Sequence, residues 1–322
     1  MVNPLISVVV ATYFPEKEKL IATLRSIILQ KDCDFEIIVA DDGSDEFFEK
    51  DIRLLLESSG ISNYQILAHK ENQGTVKNLL DAANVARGKY IKTISPGDYL
   101  YDQYTLKNVC EFMDSHNALA AFGDMVVYTC ENNNLQIKKM CNPGYDRIYD
   151  AEKEFYNYKK VLKHQLIYSD LICGAADFYE RLTFCNAMEE IKDTVIYAED
   201  AAYQLFTIKG IRIYKIPYKI VWYEHGTGIS TCKNSPLFSR IDKDYYRFYH
   251  MLKEKYPKTR YLKRNLRFWE RRLNGSFLEI QFFRFISIDK VLFSIRRRLY
   301  IRMKTNEYDE TFFFKCTNKD AL

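Results

Sequence analysis

Two pairs of adjacent carboxylates stand out as residues able to do chemistry. The run Phe35-Glu-Ile-Ile-Val-Ala-Asp-Asp-Gly-Ser44 is an apolar, β-rich stretch that ends in Asp41 and Asp42 at a glycine turn. In an open α/β sheet ligands bind beyond the carboxyl ends of the strands, so two acids at such an end would meet one. The same residue types also suit a plain turn and helix cap. The second pair, Glu199-Asp200, opens a helical pattern that ends before Gly210. A carboxylate there lies in the positive field of a helix N-terminus, which favours its ionised form. A third acid, Asp98, follows Ser95-Pro96-Gly97. His225 precedes a Gly-Thr-Gly-Ile-Ser loop whose N–H groups could wrap phosphate, although a lone histidine serves packing equally well.

These residues need a scaffold that brings strand ends together. The first 130 residues alternate short apolar runs with longer helical patterns, the mark of βαβ units and a mainly parallel sheet. Strands are predicted over Leu5 to Thr12, Phe35 to Ala40, Tyr64 to Ala68, Tyr90 to Ser95 and Ala118 to Tyr128. Helical spacing predicts Glu16 to Gln30 (Leu20, Leu24, Ile27, Ile28) and Val76 to Ala86 (Leu79, Leu80, Ala83). Asn72, Gly74 and Gly88 punctuate the third unit. Beyond Asn142 the pattern is mixed: a helical stretch near 150–164, strands near 167–173 and 211–223, and the helix that starts near Ala198. From Leu237 onward the chain reads as helices over Leu237 to Lys255, Thr259 to Leu273 and Phe277 to Met303. The expected class is α/β, with a domain over 1–235 and a helical, basic, amphipathic region over 236–322.

Composition excludes several classes. With 47% hydrophobic residues the chain has enough apolar material for one large core or two small ones. The eight cysteines carry no CxxC pair and read as reduced cytosolic thiols; neither they nor the five histidines have zinc-site spacing. The N-terminus lacks a basic n-region, and no uncharged apolar run approaches a membrane span. The expected place is therefore the cytosol.

The motifs also follow one another in a familiar order: ISVVVATY at 6–13, the IIVADDGSD run, NQGTVKNLLDAANVARGKYI at 72–91, SPGDYL at 95–100, YAEDAAYQL at 197–205 and WYEHGTGIS at 222–230. Over about residues 4 to 232 the chain resembles the inverting glycosyltransferases of family 2, with the GT-A fold. The resemblance implies that Ala11, Thr12, Tyr13 and Asp42, with Asp41 in support, hold the nucleotide of a UDP-linked sugar donor. A carboxylate suits a uracil-type N–H because it only accepts. Tyr13 serves simple packing as readily. The resemblance implies Asp200 as general base, matched with Glu199, for an acceptor hydroxyl in an inverting displacement.

Family members carry Asp-x-Asp-Asp where this chain has Ser95-Pro96-Gly97-Asp98, and their carboxylates hold Mg or Mn against the diphosphate. The position that supplies the main metal contact is here Gly97. One carboxylate plus substrate phosphates still suffices for Mg, which keeps several waters. The implied cofactor is thus Mg or Mn at Asp98, with His225 completing the shell or, protonated, meeting phosphate directly. Lys77 and Lys92 are further candidates for phosphate contact or else solvated surface charges. On the acceptor side, Ile172-Cys-Gly-Ala-Ala-Asp-Phe-Tyr179 resembles the strand and turn lining that pocket, with Gly174 and Ala175 leaving room for a sugar and Asp177 meeting a hydroxyl.

Charge is divided unevenly. Lys258 to Lys304 holds 14 Lys or Arg against 3 acids, whereas the residues before Lys258 carry 31 against 36. Phe285, Ile288, Leu292, Ile295 and Leu299 recur at three- and four-residue steps with Lys290 and Arg297 opposite, an amphipathic helix with a basic face. Such a tail suits an anionic membrane surface, and packing on the domain or a homo-oligomer contact equally employs it. The family resemblance favours a glycan or polyprenyl-linked acceptor at the inner face of the cell membrane, as in capsule, lipopolysaccharide or exopolysaccharide synthesis. A non-catalytic module that binds nucleotide sugar or a partner enzyme is the alternative. No nucleic-acid motif is present.

Overall fold

The computed structural model describes residues 3–131, 134–140, 143–228, 238–276, 278, 288–304 and 307–318. Strands β1 (Ile6–Thr12), β2 (Phe35–Asp41), β3 (Tyr64–Ala68) and β4 (Tyr90–Ile94) pair in parallel in the order β3-β2-β1-β4. The register sets Ala11 beside Ala40 and Thr12 beside Asp41, so the strands end at one level. Helices α1 (Lys17–Ile28), α2 (Glu49–Ser58) and α3 (Thr75–Val85) make the crossovers. Side chains alternate across a strand: Val8 and Val10 join one hydrophobic cluster with Leu20, Leu24 and Ile27 of α1, while Val9 joins another with Leu79 and Ala83 of α3. Both faces are covered, which is why these strands read as unbroken apolar runs.

Beyond β4 the sheet changes sense. The order continues β4-β8-β6-β9-β5, with β5 (Tyr99–Leu100), β6 (Ala120–Glu131), β8 (Asp177–Glu180) and β9 (Ile213–Glu224), and β7 (Asn134–Lys138) pairs with β6 as a hairpin. β8 is antiparallel to both β4 and β6. Helices α4 (Thr105–Ser115), α5 (Tyr158–Ile167), α6 (Arg181–Ile191) and α7 (Ala202–Ile208) complete the layers.

The strand expected near 167–173 is instead irregular chain. Ser169 adopts φ +53°, and Asp170 turns inward to accept the Gly144 N–H at 2.6 Å and face His164 Nδ1 at 3.3 Å. The strand of this segment comes later, as β8.

Helices α8 (Phe238–Lys255) and α9 (Leu262–Asn274) bury Tyr245, Phe248, Tyr249, Leu252, Leu266 and Trp269 in the same cluster as α3, α6 and α7. The helix Ile288–Met303 behaves differently and has no buried residue. Its polar side meets the domain: Tyr300 donates to Asp146 at 2.6 Å, and Arg297 Nε lies 3.9 Å from Asp170. Ile288, Leu292, Ile295, Leu299 and Met303 are exposed along the opposite side. Phe285 of the expected stripe lies outside the described residues. The last helix, Thr311–Thr317, docks Phe313 on Trp222 and Tyr128, with ring centroids 4.8 and 5.0 Å apart.

Candidate active site

Asp41 and Asp42 divide their work by strand alternation. Asp41 accepts from Thr12 Oγ1 at 2.6 Å and from the N–H and hydroxyl of Ser44 at 2.8 and 2.7 Å, closing the glycine turn on itself. A side chain at Gly43, which has φ +83°, would strike the backbone of Glu71 and Asn72. Asp42 points across that turn to accept the Gln73 and Gly74 N–H groups at 2.8 and 2.9 Å. Burial pushes its carboxyl above the usual range, and the two amides oppose that shift. Both acids thus hold strand-end loops, and a base reaching Asp42 would use its remaining lone pairs. Tyr13 stands half-exposed beside Phe14, a surface fit for a planar ring.

The loop held by Asp42 leads to the second acidic pair. Val76 N–H donates to Ile196 O at 3.0 Å, and the Ile196 and Tyr197 N–H groups donate to buried Asp244 at 3.0 and 2.6 Å. Glu199 and Asp200 follow in a short 3-10 turn that opens α7. Tyr245, next to Asp244 on α8, donates its hydroxyl to Asp200 Oδ1 at 2.7 Å. A Cβ placed on Gly174 would lie 2.8 Å from Glu199 Oε1 and 3.8 Å from the Asp200 Cβ. Glycine therefore lets the Glu199 carboxylate pack against this turn, and both acids stay partly exposed.

Burial raises the pKa of Asp200 despite the helix-terminus field expected to lower it, while the Tyr245 hydroxyl pulls it back down. Burial and then the neighbouring Asp200 charge raise Glu199. The Tyr245 hydroxyl bond thus favours the charged form at Asp200.

Asp177 departs from the expected acceptor contact. It is buried, accepts from Tyr179 OH at 2.7 Å and Thr93 Oγ1 at 3.3 Å, and lies 3.8 Å from the ammonium of Lys92. Lys92 is neither a phosphate contact nor a solvated charge: it is fully buried and donates to the Thr93 and Ala175 carbonyls at 2.6 and 2.9 Å. A buried cation needs a carboxylate, and this need draws Asp177 inward. Ala175 contributes its carbonyl to Lys92 and thereby fixes the turn carrying Gly174.

The cation site implied by the resemblance is not fitted by the residues present. Asp98 is buried, accepts the Glu224 N–H at 2.9 Å, and has its carboxyl pushed up to about 7 by burial. His225 faces Lys138 Nζ at 3.4 Å, and burial and that charge lower its pKa, which favours the neutral ring. Among the described residues no group of three or more His, Cys, Asp and Glu side chains is arranged to hold an ion. Ile229 and Ser230 of the glycine loop lie outside those residues. Lys19, Glu224, Asp244 and Tyr245 were not singled out in the sequence; the helical pattern of α8 and the motif around His225 were the only signals pointing near them.

The family model for glycosyl transferase family 2 matches residues 7–174, just over half of the chain. The chain belongs to glycosyltransferase family 2. An uncharacterized glycosyltransferase of Methanocaldococcus jannaschii is 24% identical over 56% of this family 2 chain, which spans 61% of that relative's length. The mannosyltransferase PcManGT of Pyrobaculum calidifontis, solved with GDP-Man and Mn2+, superposes with a TM-score of 0.52 at 13% identity, covering 94% of this chain and 86% of that one. That likeness establishes the GT-A fold for this family 2 member. Residues 1–349 of S. aureus TarS in complex with UDP-GlcNAc match at a TM-score of 0.47 and 18% identity, covering 85% of this chain and 77% of that one.

Proposed function

We propose that this chain is an inverting glycosyltransferase moving a sugar from a nucleoside diphosphate donor, UDP-linked, to a hydroxyl of a glycan or lipid-linked glycan in capsule, lipopolysaccharide or exopolysaccharide synthesis. The observation that carries this reading is Asp200, partly open beside Gly174 and aimed by Tyr245. The acceptor oxygen attacks the anomeric carbon opposite the leaving group. The bond from that carbon to the β-phosphate oxygen breaks, and its electron pair departs with the nucleoside diphosphate. The acceptor's proton passes to the Asp200 carboxylate. Glu199, packed on Gly174 beside it, would meet a sugar hydroxyl of the acceptor. Ala11, Thr12, Tyr13 and the loops held by Asp41 and Asp42 would frame the nucleotide.

Thermal unfolding with UDP- and GDP-sugars tests the donor. A donor at about 100 times its Kd adds roughly 2.7 kcal/mol of stability, a shift of several degrees. A shift with UDP-sugars alone supports the reading, and one with GDP-sugars alone moves the donor to guanine. Binding without turnover would favour the non-catalytic alternative, to which the altered Ser95-Pro96-Gly97-Asp98 motif lends some weight.

The exposed stripe of the helix Ile288–Met303, with basic residues beside it, supports peripheral attachment to an anionic leaflet. No described helix is long and apolar enough to cross a membrane. Each Leu or Ile side chain inserted is worth roughly 1.5–3 kcal/mol, so Leu292→Glu with Ile295→Glu is expected to weaken sedimentation with phosphatidylglycerol vesicles by more than about tenfold. Unchanged sedimentation would remove the stripe as the contact, and a monomer in place of a wild-type dimer would reassign it to self-association.

A further inference from the structure

In the sequence, Gly97 stands where the resemblance puts the main metal-binding acid, and the structure shows what fills that space. The turn from Ser95 to Asp98 is pinned on both sides. Asp98 N–H donates to Ser95 O at 3.0 Å, Thr23 of α1 accepts the Gly97 N–H at 3.1 Å and donates to Asp98 O at 2.9 Å, and Tyr128 OH donates to Gly97 O. With φ +96°, Gly97 directs its missing side chain into the carboxylate of Glu224, whose Oε2 a Cβ would strike, and to within 3.5 Å of Lys19 Cδ. An acid at position 97 would be strained by this backbone and would have to displace the Glu224 carboxylate.

Glu224 ends β9 and is buried. Its Oε1 lies 3.0 Å from the ammonium of Lys19, and its Oε2 accepts from Thr227 at 3.1 Å. Lys19, on the first turn of α1, is about one-quarter exposed and also meets Glu16 at 3.0 Å. An ammonium has three donors, so one remains beyond these two bonds. The Glu224 carboxylate thus fills the space that a side chain at 97 would take, and the ammonium it holds, shared with Glu16, reaches solvent beside it.

Taking the donor reading above as its basis, we propose that Lys19, held in place by Glu224, supplies the positive charge against the donor's diphosphate, so that donor binding needs no divalent cation. An ammonium cannot match the charge density of Mg, but it is anchored before the donor arrives and gives a charge-assisted hydrogen bond to a phosphate oxygen. Glu224 positions that ammonium and does not itself meet the donor.

The test is calorimetric titration of the full chain with UDP, in Mn2+ and in EDTA, on wild type, Lys19→Met and Lys19→Arg. Met keeps the stem and suits a helix, and its Tm verifies the fold. The expected result is a wild-type affinity that differs less than about threefold between Mn2+ and EDTA, a loss of about tenfold or more in Lys19→Met, and retention in Lys19→Arg. Wild-type binding that collapses in EDTA overturns the inference and leaves the donor reading intact, as does unchanged binding by Lys19→Met. Absence of UDP binding by wild type in both solutions, with GDP equally silent, overturns both.

Discussion

Asp200→Asn is expected to lower kcat by about 10²- to 10⁴-fold while donor affinity stays within a few-fold of wild type, because the amide preserves shape and cannot take the acceptor's proton. Tyr245→Phe serves as the graded companion. Removing its hydroxyl bond to Asp200 Oδ1 takes away the interaction that lowers the Asp200 pKa, so the carboxyl rises further. A base works ionised, and its activity is lost as pH falls through its pKa. The acid limb of kcat/KM in wild type should therefore lie above that of an ordinary carboxylate, and in Tyr245→Phe it should move to higher pH still. A tyrosine that only packed would leave the limb unmoved. Full activity in Asp200→Asn would end its assignment as base and shift attention to Glu199.

How much of this was legible in the sequence depended on how far apart the cooperating residues lie. β1 to β4, α1 and α3 announced themselves through local periodicity, because each buries a face that its own spacing reveals. Glu199 and Asp200 were found through the resemblance, which places a Glu-Asp pair at the start of a helix and is matched here residue for residue. The helices Glu49–Ser58, Thr105–Ser115 and Arg181–Ile191 carried weaker stripes and were not marked out. Partnerships across the fold stayed hidden. Nothing local ties Tyr245 to Asp200, or Asp244 to the loop at Ile196, since each pairing is created when α8 docks. Glu224 sat inside a motif already noted, yet His225 drew the attention because the resemblance puts a histidine or basic residue at that place. Lys92 misled for a related reason: a lysine in a short strand resembles a solvated charge until the strand acquires β8 as its neighbour.

That buried lysine gives the largest expected effect on stability. Asp177→Ala removes the carboxylate 3.8 Å from Lys92 and leaves an ammonium with two carbonyl acceptors, the Phe178 ring and only the more distant Asp98 as countercharge. Breaking a buried pair from one side costs about 3–5 kcal/mol. Lys92→Met should cost less. Burial already pushes the Asp177 carboxyl up to about 7, so without Lys92 it can take a proton and keep its bonds to Tyr179 and Thr93. In urea unfolding, the double variant should then lose less than the two singles together, with a coupling of about 1–3 kcal/mol. A cost for Asp177→Ala no greater than about 0.5 kcal/mol, the level of an ordinary surface change, would show that Lys92 does not depend on it. The pair also bears on the proposed chemistry, because the same ammonium holds the Ala175 carbonyl and so the turn on which Gly174 receives the Glu199 carboxylate. Loss of Asp177 should therefore reduce transfer even where the protein stays folded, and the defect should appear mainly in the KM for the acceptor, since the donor loops rest on Asp41 and Asp42 instead.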